Sequence, residues 1–546
     1  MSTFNSININ DMKKQFLFFV FTTLLFMSLN SCKKVLDTSP NDFLSYSQFY
    51  KTESDLNAAV AGIYSSLAQD GTYGRNIPIE LEMGNDEAHY NNRNNYNNVP
   101  SLYDCQASTK IYSDCWTALY QGIGRANLLL ANIDNATTVA DSIKKNIYGE
   151  ALFLRAFNYF QLVSRFGDVP LVLKPTLQST NLNNPRTPSI EVYNQILSDM
   201  KAADSMVKEV TQINCGTRIS KTVVEGMIAR VYMKMGGHPL MLGLPAFDSA
   251  KTYALKVINS GLHSLNPSYR QVFINHSADK YDNVYRESMW EIEFYGNNTP
   301  QGAVAPGSRF ACQLAMRYTG TDPNAIYGYG SYVPSGVLYN MYTAYSSTTD
   351  TMRRNWNMPE FTYSGNTNPI SPTVYTTGTY TFERDCGKWK REYEVFSPKQ
   401  RDWGPTNFPI IRYSDVLLMA AEAENEVNGP TSVAIGYVNQ VRTRAKTLQL
   451  FSTKVPTQES FRKFIQEERA RELCFEGLRK FDLIRWGIFM GRMDFTKNAI
   501  ANSTATSTNK TRFLGGYLNV KDRDTLLPIP SSELSVNSMA TQNPGW

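Results

Sequence analysis

Between Ala151 and Val163 the chain reads ALFLRAFNYFQLV, and only Arg155, Asn158 and Gln161 interrupt its apolar and aromatic residues. The spacing predicts a helix from about Asp141 to Phe166. A helix that is apolar on nearly every side must be buried on nearly every side. No single neighbour can supply that burial, so this segment has to sit inside an assembly of other helices. Gly167-Asp168-Val169-Pro170 stops it.

The rest of the sequence supplies such neighbours. Helical periodicity runs over 53–67, where Leu56, Val60, Ile63 and Leu67 form one stripe, and over about 114–133, 189–206, 221–235 and 249–260. It returns at Tyr413, with Ser414 placed as an N-cap, and continues over 413–427, 432–446, 458–475 and 478–490. In several of these helices a small residue stands three or four positions from an aromatic one: Ala156 with Tyr159 and Phe160, Ala229 with Tyr232, Ala434 with Tyr437. Small-against-large pairing allows close helix contact and is similar to the tetratricopeptide pattern. The expected fold class is mainly α, with tetratricopeptide-like helix pairs forming an α-superhelical scaffold that carries long irregular loops and a few short strands. One such strand is expected in Glu287–Phe294, which alternates and puts Trp290 in the core.

The N-terminus reads differently. Lys13 and Lys14 precede the apolar run Phe16–Leu29, which is shorter than the ~20 residues a spanning helix needs. Charge followed by a short apolar stretch is the pattern of a secretory signal peptide. It ends Leu29-Asn30-Ser31-Cys32, which resembles a bacterial lipobox with Asn30 in place of the usual small residue. In such signals the cysteine thiol receives diacylglycerol and cleavage occurs just before it. Cys32 is therefore the expected lipidation site, and each buried methylene of its lipid adds ~0.8 kcal/mol of membrane attachment. No later segment reads as transmembrane. The expected organisation is a signal peptide over 1–31, a lipidated lead-in over 32–50 and one domain over 51–546. That domain divides into a helical part (51–262), a loop-rich ligand-side insertion (263–410) and a second helical part (411–546).

Composition excludes several classes. At 42% hydrophobic and 19% charged residues the chain is globular. A net charge of +5 over 546 residues lacks the concentrated basic stripe of a nucleic-acid binder, and no nucleic-acid partner is expected. The cysteines are scattered, no C-x-x-C pair occurs and only four histidines accompany them, so neither a metal site nor a cofactor is expected. Export permits disulfides, and Cys105 with Cys115 is the best-placed pair, whereas Cys474 reads as a free, buried thiol.

Several segments, taken together and in order, resemble the SusD/RagB family of Bacteroidetes outer-membrane lipoproteins. They are Cys32 with its signal peptide, Glu150–Gly167 followed by Asp168-Val169-Pro170-Leu171, Thr222–Tyr232, Arg412–Ala423, Glu468–Gly487, and the tail Leu527–Pro530 with Gln542–Trp546. They span nearly the whole chain. The resemblance implies a non-enzymatic, cell-surface lipoprotein of the outer membrane, anchored by lipid. Such a protein captures oligo- or polysaccharide and delivers it to a SusC-like TonB-dependent transporter. Two other readings stand beside it: a RagB-like peptide or protein uptake lipoprotein, and a surface glycoside hydrolase.

Sugar rings have apolar faces and polar edges, so a glycan site needs aromatic platforms beside hydrogen-bonding side chains. Residues 70–112 read as a long exposed loop rich in Gly, Asn and Tyr. Within 84–98, Asp86, His89 and Arg93 are candidates to bond hydroxyls, and Tyr90 and Tyr96 to stack. A second candidate is the cluster Tyr327, Tyr329 and Tyr332, spaced by glycines, with Trp356. No catalytic residue is expected. Glu467, Glu468 and Glu472 interleave with Arg469, Arg471 and Arg479 at helical spacing, which reads as a ladder of ion pairs and not as a glycosidase dyad. The chain has no Gly-x-Ser-x-Gly, no His-Glu-x-x-His and no phosphate loop.

Overall fold

The structure is a computed structural model that describes residues 13–14, 49–93, 95–176, 183–213, 215–296, 307–318, 328–343, 350–364, 371–374, 384–397 and 399–546. Cys32 and Tyr327 lie outside the described residues. Contacts close within Tyr50–Trp546, which forms one compact unit.

Six helices follow one another in its first half: α1 (Glu53–Leu67), α2 (Lys110–Asn132), α3 (Asp141–Phe166), α4 (Ser189–Asp204), α5 (Lys221–Gly236) and α6 (Leu244–Ser260). Each packs on the next, as in a solenoid. The second half adds α7 (Tyr413–Asn428), α8 (Ser432–Arg444) and α9 (Gln458–Leu473), with α7 seated on α6, α8 and α9. Three shorter helices, α10 (Arg479–Arg485), α11 (Phe489–Ala501) and α12 (Ser507–Asn519), close the scaffold. The fold is mainly α. Among the described residues the strands are short and pair only in twos.

Helix α3 is the interior element its sequence demands: every residue from Gly149 to Ser164 is buried. Its three interrupting polar residues each find a partner, with Asn158 Oδ1 left without one. Arg155 binds Asp199 of α4 through two bonds of 2.8 and 2.9 Å, Asn158 donates to the Leu154 carbonyl, and Gln161 accepts from the Tyr73 hydroxyl at 3.0 Å. Strand β2 (Ser288–Ile292) pairs antiparallel with β6 (Phe408–Arg412) and carries Trp290 into the core. There its ring meets Phe153 and Phe157 edge-on at 5.5 and 4.8 Å between centroids. β1 (Ala88–Tyr90), far earlier in the chain, pairs antiparallel with β3 (Tyr332–Pro334), and β4 (Phe361–Ser364) pairs antiparallel with β5 (Ser371–Val374).

A second interior is ionic. Glu472 of α9 is fully buried and accepts from Arg353 and Arg412, each at 3.1 Å, and from Arg444. Glu468, one turn earlier, takes Arg353, Arg442 and Arg471 at 2.7–2.9 Å. Glu287 and Glu476 hold the other faces of Arg412 and Arg444, and Lys388 reaches Glu476. A neighbouring chain of pairs links Arg230, Asp415, Arg469, Asp482, Arg485 and Glu422. The expected ladder on α9 is therefore only its visible edge, the half-exposed Glu467–Arg471 pair at 3.1 Å.

Three expectations change. Cys105 and Cys115 are both buried free thiols, pushed up to about 12 by burial, so this pair forms no disulfide. Arg412, not Ser414, is the N-cap of α7, because β6 runs straight into the helix and its last residue is still extended. Residues 478–490 are not one helix. Gly487, at φ +70°, separates α10 from α11 where a Cβ would meet the His238 ring at 2.6 Å.

Candidate functional site

The pairing of β1 with β3 joins the two segments that looked separate in the sequence. His89 lies opposite Val333 and Tyr90 opposite Tyr332. The ladder continues past the strand ends through Asn91 N–H to the Ser331 carbonyl (2.8 Å) and Ser335 N–H to the Glu87 carbonyl (2.8 Å). Residues about 240 positions apart thereby form one wall. Against it opens a cavity of about 670 Å³, lined by Tyr90, Asn91, Arg93 and Tyr96 from one side and Gln313, Arg317, Tyr329, Ser331, Arg401 and Asp402 from the other; Arg75, Glu80 and Arg309 complete it. That volume is within the usual range for small-ligand sites. Two crevices inside the scaffold, of about 30 and 20 Å³, have room for a water or two.

The cavity side chains are held in place. Arg93 donates through Nη1 to the carbonyls of Tyr329 (3.3 Å) and Gly330 (3.1 Å), which ties the two segments together again. The Asn91 amide, turned with its oxygen toward Arg93, accepts at 2.7 and 3.1 Å. Tyr96 stands on a turn closed by reciprocal bonds, its N–H to Asn92 Oδ1 (2.7 Å) and Asn92 Nδ2 to its carbonyl (2.9 Å), and its ring is 53% exposed. Tyr329 donates its hydroxyl to Asp402 and accepts from Arg401 Nε at 3.2 Å. Burial and then the Asp402 bond push this phenol up to about 12, so it is a neutral donor at physiological pH. Arg75 binds Glu80 at 2.8 Å, and Arg309 lies over Trp403 (5.2 Å to the ring centroid) with Asp70 at 3.4 Å.

Of the expected ligand residues, Tyr90, Arg93, Tyr96 and Tyr329 line this cavity. Asp86, His89, Tyr332 and Trp356 do not, and each is buried for a reason. Asp86 accepts a two-pronged bond from Arg479 (2.7 and 2.7 Å) and a third from Arg492 (2.7 Å). Burial opposes its charge, but the two arginines overcome that and hold the carboxyl below the usual range. His89 packs on Phe513 (4.4 Å between centroids), and burial lowers it to about 3, so it is neutral. Tyr332 is the floor beneath Tyr90, with its hydroxyl 2.9 Å from Ser101 Oγ. Trp356 donates to the Lys388 carbonyl at 3.0 Å and is covered by Lys390, 4.5 Å from its ring centroid. The stretch read as an exposed loop is mostly interior: Asn76–Leu81 is a buried π-helical turn, and among the described residues of 70–112 exposure is confined to the run 95–98 and to Gln106, Ser108 and Lys110. Arg75, Arg309, Arg317, Arg401 and Asp402 escaped the sequence reading because each lies in an unremarkable local context and only the fold brings them together.

Scaffold and cavity together define a class: stacked helix pairs that carry a cavity on their irregular connections. The chain belongs to the SusD/RagB family. The model of the SusD family matches residues 316–546, and the model described as starch-binding associating with outer membrane matches residues 34–233. A SusD-like protein of Formosa agariphila is similar at 26% identity over 96% of this chain and 97% of its own length. Among solved structures, a SusD homolog from Bacteroides thetaiotaomicron superposes with a TM-score of 0.82 at 24% identity, covering 92% of this chain and 98% of that one. A laminarin-binding SusD-like protein superposes with a TM-score of 0.69 at 21% identity, covering 91% and 100%.

Proposed function

We propose that this chain is a cell-surface glycan-binding lipoprotein, anchored through Cys32, that captures an oligo- or polysaccharide in the 670 Å³ cavity and passes it, uncleaved, to a SusC-like TonB-dependent transporter. The observation that carries this reading is an exposed Tyr96 ring beside Gln313 and the fixed polar groups of Arg93, Asn91 and the Tyr329 phenol, in a cavity large enough for more than one sugar. An aromatic face covers the apolar side of a pyranose while the polar groups bond its hydroxyls. Membership of a family whose model is described by starch binding at the outer membrane supports it, as does a laminarin-binding protein on the same fold. The capture-only role is supported by the carboxylates of α9. Despite burial, which opposes their charge, three arginines each hold Glu468 and Glu472 well below the usual range, the reverse of what a general acid requires.

Affinity is expected in the micromolar to millimolar range, ~4–8 kcal/mol, summed over weak subsites. The test is calorimetry of the protein against plant, host and microbial polysaccharides and against peptides, with product analysis of the same samples. Binding of a glycan without cleavage is the expected result. Cleavage, or binding of peptides alone, would overturn the proposal. Tyr96→Ala is expected to weaken glycan binding by ~1–2 kcal/mol, roughly five- to thirtyfold, through lost stacking, with the unfolding midpoint unchanged because the residue is half exposed. Cys32→Ala is expected to move the protein from the membrane fraction to the soluble fraction on fractionation.

A further inference from the structure

Beside the cavity stands a second set of rings. Arg309, Arg401 and Asp402 line the cavity, and Trp403 follows Asp402 with the Arg309 guanidinium over its ring, 5.2 Å from the centroid. Three segments cross next to Trp403. Ser308 and Gly404 exchange both backbone hydrogen bonds (2.7 and 3.0 Å), and a Cβ at Gly307 would meet the carbonyls of Gly296 (2.5 Å) and Gly404 (2.6 Å). The residue before Gly296 is Tyr295, which at 49% exposure is nearly as open as Tyr96. Its ring meets that of the part-exposed Phe396 edge-on, 5.2 Å between centroids. Val395, beside Phe396, is also exposed. Aromatic residues therefore continue from Tyr96 and Tyr329 in the cavity, through Trp403 next to its wall, to the Tyr295–Phe396 pair.

These rings are carried on fixed backbone. The loop that bears Phe396 and Trp403 is wound around the buried Arg391, which donates to the carbonyls of Gln400 (2.7 Å) and Trp403 (3.0 Å) and to the buried Glu394 carboxylate (2.7 and 3.0 Å). A loop with its own interior holds its surface residues in place. Tyr295 is anchored through its neighbour Phe294, a buried residue whose N–H donates to Asn407 Oδ1 at 2.9 Å. A contiguous apolar patch left open to water marks an interaction surface more often than a single exposed side chain does. The polar tips point to the same use. Neither the Tyr295 hydroxyl nor the Trp403 indole N–H bonds a described residue, so both are free to bond a sugar hydroxyl while the rings meet its apolar face.

On the reading that the cavity holds a glycan, we infer that the site extends outside it: Trp403 and the Tyr295–Phe396 pair form an outer subsite, and the ligand is a polysaccharide chain longer than the cavity can contain. The chain rests on Tyr96 within and crosses these rings without. Once its first units are held, each further contact is made within one complex and adds affinity at little further cost in free motion.

The test titrates the full chain, purified in detergent, with malto-, laminari- and xylogluco-oligosaccharides, each series graded by length from its shortest member upward. In at least one series, affinity is expected to go on rising roughly tenfold after the short members have filled the cavity. In Tyr295→Ala/Phe396→Ala, and separately in Trp403→Ala, the ratio of long-chain to short-chain affinity should fall toward one. Tyr96→Ala should weaken short and long members alike. A ratio that both outer variants leave unchanged would overturn the outer subsite, whether or not they lower affinity as a whole. Affinity that does not rise with length, but is still lowered by Tyr96→Ala, would overturn it and leave the cavity site standing. Failure of every series to bind would overturn both this inference and the proposed function.

Discussion

Glu472→Gln is expected to lower the free energy of unfolding by about 3–5 kcal/mol, because it removes one charge and leaves three buried guanidinium groups short of it. Arg353, Arg412 and Arg444 all point at Glu472, and none of them is more than 3% exposed. The same change one turn-face away, Glu467→Gln, breaks a pair whose carboxylate is 41% exposed and is expected to cost less than about 1 kcal/mol. Chemical denaturation followed by circular dichroism checks both. The pH dependence has a definite sign. Burial opposes the Glu472 charge, but Arg444, Arg412 and Arg353 more than offset it and hold the carboxyl at about 2. An unfolded glutamate titrates near 4.3. Its contribution is therefore complete above about pH 4.3 and is lost as the pH falls from there toward 2. Glu472→Gln should flatten that acid limb. A variant as stable as the parent would mean that this network does not hold α9 to the β2–β6 ladder and α8.

Asp86→Asn is expected to cost about 3 kcal/mol by the same mechanism, and it separates two roles for a residue that composition alone casts as a sugar ligand. Asp86 is 0% exposed and pins the turn before β1 to Arg479 of α10 and Arg492 of α11. Ser335 Oγ donates to its carbonyl, and β1 leads directly to Tyr90 and Arg93. Loosening this anchor should reduce stability first and glycan affinity in consequence. Raising ligand concentration should then recover part of the stability through mass action. If Asp86 were a ligand contact, the variant would lose affinity with its denaturation curve unmoved. The two curves, measured on one preparation, decide the matter.

The contrast between Asp86 and Tyr96 shows what was readable in the sequence. Local signals gave the scaffold well. Thr52 and Asp55 form a reciprocal capping box at the start of α1, and the run of apolar residues in α3 required an interior helix before any neighbour was known. Where a residue's fate depended on partners far along the chain, its own context misled. Asp86 and His89 sit in a polar, asparagine-rich stretch, but their partners, Arg479 and Phe513, lie close to 400 residues away or beyond. Tyr332, in a glycine-spaced cluster, and Trp356, grouped with it, looked like exposed platforms and are covered by Tyr90 and Lys390. Helix α12 carries Gly515 and Gly516 in its middle, which hid its periodicity; a Cβ at Gly516 would meet the Ser101 carbonyl at 2.7 Å, so close packing on that loop explains the glycine. Half of the cavity was legible because Tyr90, Arg93 and Tyr96 share one short segment. The arginines opposite them were not, since no periodicity links positions 75, 309, 317 and 401.

If β1–β3 pairing builds one ligand site from two distant segments, a crystal structure of the protein with its best-binding oligosaccharide will show it. Sugar density is expected over the Tyr96 ring, within hydrogen-bond reach of Arg93 and the Tyr329 hydroxyl. Density at another face of the helical scaffold, with the cavity unchanged, would contradict it.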